Sequence, residues 1–153
     1  MELILWRHAD AEDGIGMADA ERALTRKGRR QAERMAAWLR ERLDGDWRIL
    51  VSPARRALET VDPLAMSFEV TELVGTGADS RRVIEAAGWP RGERVMVVGH
   101  QPTLGHVAGT LLGGEGDVAF GKGAVWWFAT RERNGRTETV LKVKIDPEML
   151  DAG

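Results

Sequence analysis

Leu3-Ile4-Leu5-Trp6-Arg7-His8 opens the chain with four apolar residues followed at once by a guanidinium and an imidazole. The arrangement recurs twice. Ile49-Leu50-Val51 runs into Ser52, with Arg55 and Arg56 close behind, and Val95-Met96-Val97-Val98 runs into Gly99-His100. Apolar runs that are continuous rather than alternating suit parallel strands covered on both faces. Each is followed by a helical pattern. After the first, Thr25 is the expected N-cap, and Ala32, Met35, Ala36, Leu39 and Leu43 fall on one stripe. After the second, Ser52-Pro53 reads as N-cap and first helical position, with Ala54, Ala57, Leu58 and Val61 facing inward. After the third, Pro102 opens a helix carrying Leu104, Val107, Ala108 and Leu111, which Gly113 stops. A shorter helix is expected from about Ser80 to Ala87, closed by Gly88.

The remainder has another pattern. Residues 124–129 and 137–145 are strand-like and meet through Asn134-Gly135, a strong hairpin signal. Lys142 and Lys144 alternate with Leu141, Val143 and Ile145, which predicts one packed and one charged face. Trp126 and Trp127 must point to opposite faces of their strand, so one of them is expected to be the more exposed. With no repeat, linker or low-complexity tract, residues 1–153 are expected to form one α/β domain. Its architecture is a three-layer α/β/α sandwich with a mostly parallel central sheet and an antiparallel C-terminal edge hairpin.

Composition narrows the chemistry. The absence of cysteine excludes a disulfide scaffold, a thiolate zinc site and a cysteine nucleophile. A net charge of -2 argues against a general nucleic-acid binder or a polybasic membrane binder. No apolar run approaches bilayer length, and the N-terminus enters a strand-like segment rather than a signal peptide, so a cytoplasmic location is expected. Gly116–Lys122 (GDVAFGK) nearly spells a phosphate-binding loop. However, Gly123 stands where Ser or Thr is required and a strand follows, so it is rejected, and Lys122 is left without an assigned place.

In open α/β sheets ligands bind beyond the carboxyl ends of the strands. The three runs therefore deliver Arg7-His8, Ser52 with Arg55 and Arg56, and Gly99-His100 to one rim, where helix N-termini also favour anions. Two imidazoles among guanidiniums suit a phosphoryl group. Cations around His8 disfavour its protonated form.

These residues resemble a known family. Leu5–Asp10 (LWRHAD) resembles the Arg-His-Gly signature of the histidine phosphatase superfamily, the phosphoglycerate-mutase-like proteins. Arg22–Leu39 (RALTRKGRRQAERMAAWL) is similar to its Leu-Thr-x-x-Gly-x-x-Gln-Ala segment. Val51–Thr60 (VSPARRALET) is similar to its Ser-Pro-x-x-Arg-Ala-x-x-Thr segment, and Val97–Thr103 (VVGHQPT) to its Gly-His-x-Pro segment. Order and spacing agree from residue 2 to about 113. The chain is most similar to the short phosphohistidine phosphatases of the SixA type, which lack long insertions.

The resemblance implies that His8 is the nucleophile and carries a transient phosphohistidine. It implies that Arg7, Arg56 and His100 clamp the phosphoryl oxygens. The Arg-Ala pair selects Arg56 over Arg55, and Thr60 shares its helix face. Glu72 matches loosely the place from which larger members supply a general acid. Ala9 replaces the usual glycine, but its carbonyl can still orient the His8 N–H. Glu59 stands where many relatives have glutamine, and Pro63 is expected to end or kink its helix near Asp62. Among residues outside the motif, Asp10, Glu12 and Asp13 are expected to form a solvated loop, and His106 to lie at the surface or rim.

By the same resemblance the activity is a metal-independent, cofactor-free phosphatase. The expected partner is a phosphohistidine-carrying protein of the phosphorelay or phosphotransfer type, acting in signal transduction, with the enzyme a monomer and neither nucleic acid nor membrane involved. A histidine leaving group, with a pKa of about 6.5, needs less acid catalysis than an alkoxide, which favours a phosphoramidate substrate. The alternatives are a small-molecule phosphatase or phosphomutase on the same site, and a module that binds a phosphoprotein without turning it over.

Overall fold

The computed structural model describes residues 1–114, 116 and 118–150. Residues 151–153 of the expected domain and Asp117 of the rejected phosphate-loop stretch lie outside them. The chain runs through β1 (Glu2–Arg7), α1 (Arg26–Arg40), β2 (Arg48–Val51), α2 (Arg55–Val61) and β3 (Glu69–Val70). It continues through α3 (Ser80–Ala87), β4 (Arg94–Gly99), α4 (Thr103–Leu111), β5 (Val125–Arg133) and β6 (Arg136–Ile145). These strands form one sheet in the order β3-β2-β4-β1-β5-β6. The first four are parallel and the last two antiparallel, the expected three-layer α/β/α sandwich.

The continuous apolar runs are explained by the two layers of helices. Leu3, Leu5, Val95 and Val97 point to one side, where Val83, Ala87, Leu104 and Val107 of α3 and α4 cover them. Ile4, Trp6, Met96 and Val98 point to the other, against Met35 and Leu39 of α1 and Ala57 and Val61 of α2. Each large side chain fully buried this way contributes about 1.5–3 kcal/mol relative to exposure. Both tryptophans of β5 are buried, Trp126 at 9% and Trp127 at 5% exposure. Trp126 stacks on Phe120, and Trp127 meets Trp38 and Trp47 edge-on on the opposite face.

The helix boundaries differ in detail. Thr25 caps α1 as expected, its Oγ1 accepting from the Gly28 N–H at 3.0 Å, but α1 ends at Arg40 and leaves Leu43 beyond it. Ala54, not Ser52, holds the N-cap position of α2, and Pro53 lies outside the helix. Pro102 likewise occupies the N-cap position of α4. α2 stops at Val61 and a 3-10 turn over Asp62–Leu64 follows, as Pro63 requires. β3 was not expected: it has two residues, both exposed, and so no apolar pattern. The Asn134-Gly135 turn has positive φ at both residues, 53° and 74°, which matches the twist of a two-residue hairpin. A bulge at Lys142 puts Leu141 opposite Phe128 rather than on the face of Val143, so Leu141 is exposed.

One close approach ties the fold to the loop after β1. A Cβ built on Gly28 would lie 2.0 Å from the Asp10 carbonyl oxygen, so only glycine fits there. Gly28→Ala is therefore expected to lower the unfolding free energy by about 1–3 kcal/mol, as overpacking does. Gly77→Ala, with nothing near its added Cβ, should change it by less than about 0.5 kcal/mol. Urea denaturation of both variants checks this, and a wild-type midpoint for Gly28→Ala would contradict the contact.

Candidate active site

Three adjacent strands deliver the site. Arg7 of β1 sits level with Gly99 of β4, and Val51 of β2 level with Val98. The ladder continues one residue further: the His8 N–H donates to the Gly99 carbonyl at 3.0 Å, and the Ser52 N–H to the Val98 carbonyl at 3.1 Å. His8, His100 and Ser52 thus leave the sheet side by side. They meet at a cleft of about 260 Å³ whose walls include Arg7, His8, Arg56 and His100, all expected there. His8, Arg56 and His100 are at most 8% exposed.

The hydrogen bonds fix the state of each ring. His8 Nδ1 lies 2.7 Å from the Ala9 carbonyl oxygen, and a carbonyl can only accept. Nδ1 therefore carries the proton, and Nε2 keeps a lone pair. His100 Nε2 lies 2.7 Å from Ser52 Oγ, which also accepts from the Ala54 N–H at 3.2 Å. Ser52 is fully buried, so its own proton needs an acceptor, and His100 Nε2 is the one in reach. That leaves a proton on His100 Nδ1.

Burial pushes the His8 pKa down from 6.5 to about 4, and Arg56, Arg7 and Arg22 push the same way against the Ala9 bond. Burial, then His8 and Arg56, takes His100 down to about 3. Both imidazoles are neutral near pH 7, their ring centroids 5.3 Å apart.

Arg7 Nη1 donates to the Phe120 carbonyl at 2.7 Å. Arg56 Nη1 donates to the Asp19 carbonyl at 2.9 Å, and Arg56 Nη2 pairs with Asp19 Oδ2 at 3.0 Å. Besides the indole N–H groups of Trp6 and Trp126, three side-chain donors are buried without an acceptor among the described residues: Arg7 Nε, Arg56 Nε and His100 Nδ1. All three belong to walls of this cleft. Burying an unsatisfied donor costs about 1–3 kcal/mol, so their convergence marks a place for an anion.

Supporting contacts lock the constellation. Thr60 Oγ1 donates to the Arg56 carbonyl at 2.7 Å and accepts from the Ala9 N–H at 3.0 Å, joining α2 to the loop that carries His8. Gln31 Oε1 accepts from the Asp10 N–H at 2.9 Å, and Glu59 Oε1 from the Leu24 N–H at 2.8 Å. Arg55 points to solvent and pairs with Glu59, so the two neighbouring arginines separate as expected. Asp10 is not a freely solvated carboxylate, because Thr25 Oγ1 and Lys122 Nζ donate to it at 2.7 and 2.9 Å.

Some placements differ from those expected. Glu72 is exposed and is not brought to the cleft; its loop contributes Thr76 instead. His106 is half-buried on α4 and does not line the cleft. Asp19, Arg22, Gln101 and Lys122 do line it. Asp19 and Arg22 were not singled out from the sequence: they lie at a single 3-10 turn, Asp19–Glu21 and its cap, that only the tertiary fold turns toward Arg56.

Fold and site together define an α/β protein whose cleft sets buried, unsatisfied donors beside a neutral imidazole. Residues 3–75 match the model of the histidine phosphatase superfamily (branch 1). A phosphohistidine phosphatase SixA homolog of Haemophilus influenzae is 29% identical, over 78% of this chain and 82% of that protein. The solved structure of the protein histidine phosphatase SixA complexed with tungstate aligns at a TM-score of 0.79 and 27% identity, covering 99% of this chain and all of that one. A putative phosphohistidine phosphatase SixA from Nakamurella multipartitia shares the fold at a TM-score of 0.79 and 23% identity, over 95% of each chain. Over residues 3–75 the chain is thus similar to the histidine phosphatase superfamily, and over nearly its whole length to the solved SixA structure.

The depressed imidazoles have a consequence for stability. Histidines of the unfolded chain protonate near 6.5, whereas His8 and His100 stay neutral to about 4 and about 3. Below 6.5 the unfolded state binds more protons, so the contribution of both groups to stability is full above that pH and is lost as pH falls, down to about 4 for His8 and about 3 for His100. NMR titration of the imidazole carbons should show both rings neutral at pH 5; a midpoint near 6.5 for either would contradict the geometry.

Proposed function

We propose that this cleft removes a phosphoryl group from a histidine of a partner protein, by way of a transient phosphohistidine on His8. The observation that carries the reading is the trio of unsatisfied donors around an imidazole whose Nδ1 proton is already spoken for by Ala9. Unsatisfied donors to offer the oxygens and a free lone pair to offer phosphorus are what in-line phosphoryl transfer requires.

In the first step the His8 Nε2 lone pair forms a bond to phosphorus while the bond from phosphorus to the substrate nitrogen breaks. The bonding pair leaves with that nitrogen. A substrate ring protonated at its far nitrogen departs as neutral imidazole, so no proton need be delivered at the breaking bond. The His8 ring becomes cationic, and the Ala9 carbonyl, which accepts from Nδ1–H, stabilises that charge. In the second step water attacks phosphorus, the bonding pair returns to Nε2, and phosphate leaves with the water's proton lost to solvent. The first step asks little of an acid, which suits a cleft whose walls do not include Glu72.

The relatives support the substrate class. One is named a phosphohistidine phosphatase homolog, and the histidine phosphatase it resembles in structure binds tungstate, a tetrahedral oxyanion. The reading extends to a partner of the phosphorelay or phosphotransfer type and to a monomeric enzyme working in the cytoplasm. No helix among the described residues is long and apolar enough to cross a membrane.

Arg56→Ala should lower kcat/KM on a phosphohistidine protein by roughly a hundredfold or more, as loss of a preorganised donor does. Arg55→Ala should stay within about threefold, the scale of a solvent-exposed pair. His8→Ala should abolish turnover. The reverse ranking of the two arginines would overturn the assignment of the clamp, and a strong preference for sugar phosphates would replace the substrate.

A further inference from the structure

The first half of α1 is charged against its own stability. The helix carries Arg26, Lys27, Arg29, Arg30, Arg34 and Arg40 and a single acid, Glu33. Its first turn holds no carboxylate at all. Cations there face the positive end of the helix dipole, an arrangement that is unfavourable by a few tenths of a kcal/mol to about 1 kcal/mol for each charge. Arg26 and Arg30 are four residues apart and Lys27 and Arg30 three apart, so like charges are also stacked on one surface. Arg26, Lys27, Arg29 and Arg30 are all exposed, and among the described residues none of the four has a carboxylate within ion-pair distance. Among the described residues no ion pair compensates them, in a chain whose net charge is -2.

This surface is not remote from the cleft. Lys122, in the cleft wall, donates to Asp10 Oδ1, and Thr25, the cap of α1, donates to Asp10 Oδ2. Asp10 feels the charge of Lys27 directly, Lys27 being one of the cations that hold its carboxyl below the usual range, after its bonds with Thr25 and Lys122. Beyond it, Lys27, Arg30 and Arg34 line a shallow hollow of about 170 Å³ with Gln31, Pro147 and Glu148. The acids nearby are engaged: Asp10 as described, and Glu148 accepting from Gln31 Nε2 at 3.4 Å. Cations therefore predominate from Arg7, Arg56 and Arg22 through Lys122 to the exposed side of α1, with Asp19 and Asp10 paired among them.

We propose that the exposed cationic face of α1 docks an acidic surface on the protein that carries the phosphoryl group, guiding its phosphohistidine into the adjoining cleft. The proposal rests on the phosphohistidine reading above and adds the chemistry of the partner. Complementary charge of this kind acts mainly on the rate of encounter and on the choice of partner. Its effect is screened over about 10 Å at 0.1 M salt.

The test uses 20-residue peptides with a central phosphohistidine, flanked on both sides either by Glu and Asp or by Lys and Arg, with phosphoimidazole as the uncharged-flank control. The wild-type enzyme should turn over the acidic peptide with kcat/KM at least ~10-fold above the basic one at low salt, within the range charge steering produces. Most of that difference should vanish at 0.5 M salt. In Lys27→Glu/Arg30→Glu the preference should disappear or invert, while turnover of phosphoimidazole stays at the wild-type level. Equal turnover of both peptides by the wild type, or a preference that survives charge reversal, would overturn the docking proposal and leave the catalytic reading standing. Failure of the wild type to dephosphorylate any of the three would refute the catalytic reading and the docking proposal with it. Binding of a 20-nucleotide RNA that only the charge-reversed variant loses, without any flank effect on turnover, would assign the face to nucleic acid instead.

Discussion

The ladder between β1 and β4 sets Arg7 level with Gly99, and the site is a consequence of that register. A slip of one residue would turn every side chain of β1 to the opposite face, exchanging Leu3 and Leu5 with Ile4 and Trp6 between two filled cores. The cost of that exchange holds the register, and the register holds His8 beside His100. β2 pairs with the other edge of β4, with Val51 level with Val98, so Ser52 arrives where it can meet His100 Nε2. Packing energy spread over the whole sheet thereby fixes the distance between two rings that make no covalent or hydrogen bond with each other.

The second constraint is electrostatic. Burial and neighbouring guanidiniums deny both imidazoles their protons, and two carbonyl or hydroxyl contacts decide which nitrogen of each ring keeps the one that remains. The result is one lone pair on His8 and one N–H on His100, opposite roles for the same side chain made by different neighbours. Asp19 complements this arrangement. It is the exposed carboxylate that binds the buried Arg56 and also Arg22 at 3.1 Å, and these two bonds, Arg22 first, hold its carboxyl below the usual range. It offsets part of the cleft's positive charge while leaving Nε of Arg56 without an acceptor.

Much of this was legible in the order of residues because the strands end where the chemistry begins. An apolar run terminated by Arg-His or Gly-His states both the strand and the rim, and Arg56 follows from the helix period that separates it from Arg55. Short elements were not legible: β3 has two exposed residues and no apolar pattern to announce it. The boundary of α2 was misplaced because Ser52 and Pro53 have the chemistry of a helix start, yet the Ser52 hydroxyl is turned toward His100. Asp19, Arg22 and Lys122 were out of reach for a different reason. Each lies in a loop with no periodicity, and its position depends on contacts with residues 37, 10 or 112 places away along the chain. Glu72 shows the converse, a carboxylate at a suggestive place in the sequence that the loop leaves in solvent.

A crystal structure with vanadate bound in the cleft tests the central claim most directly. Vanadium should be bonded to His8 Nε2, with its oxygens accepting from Arg7, Arg56 and His100 Nδ1. Vanadate bonded to His100 instead, or held away from both rings, would contradict it.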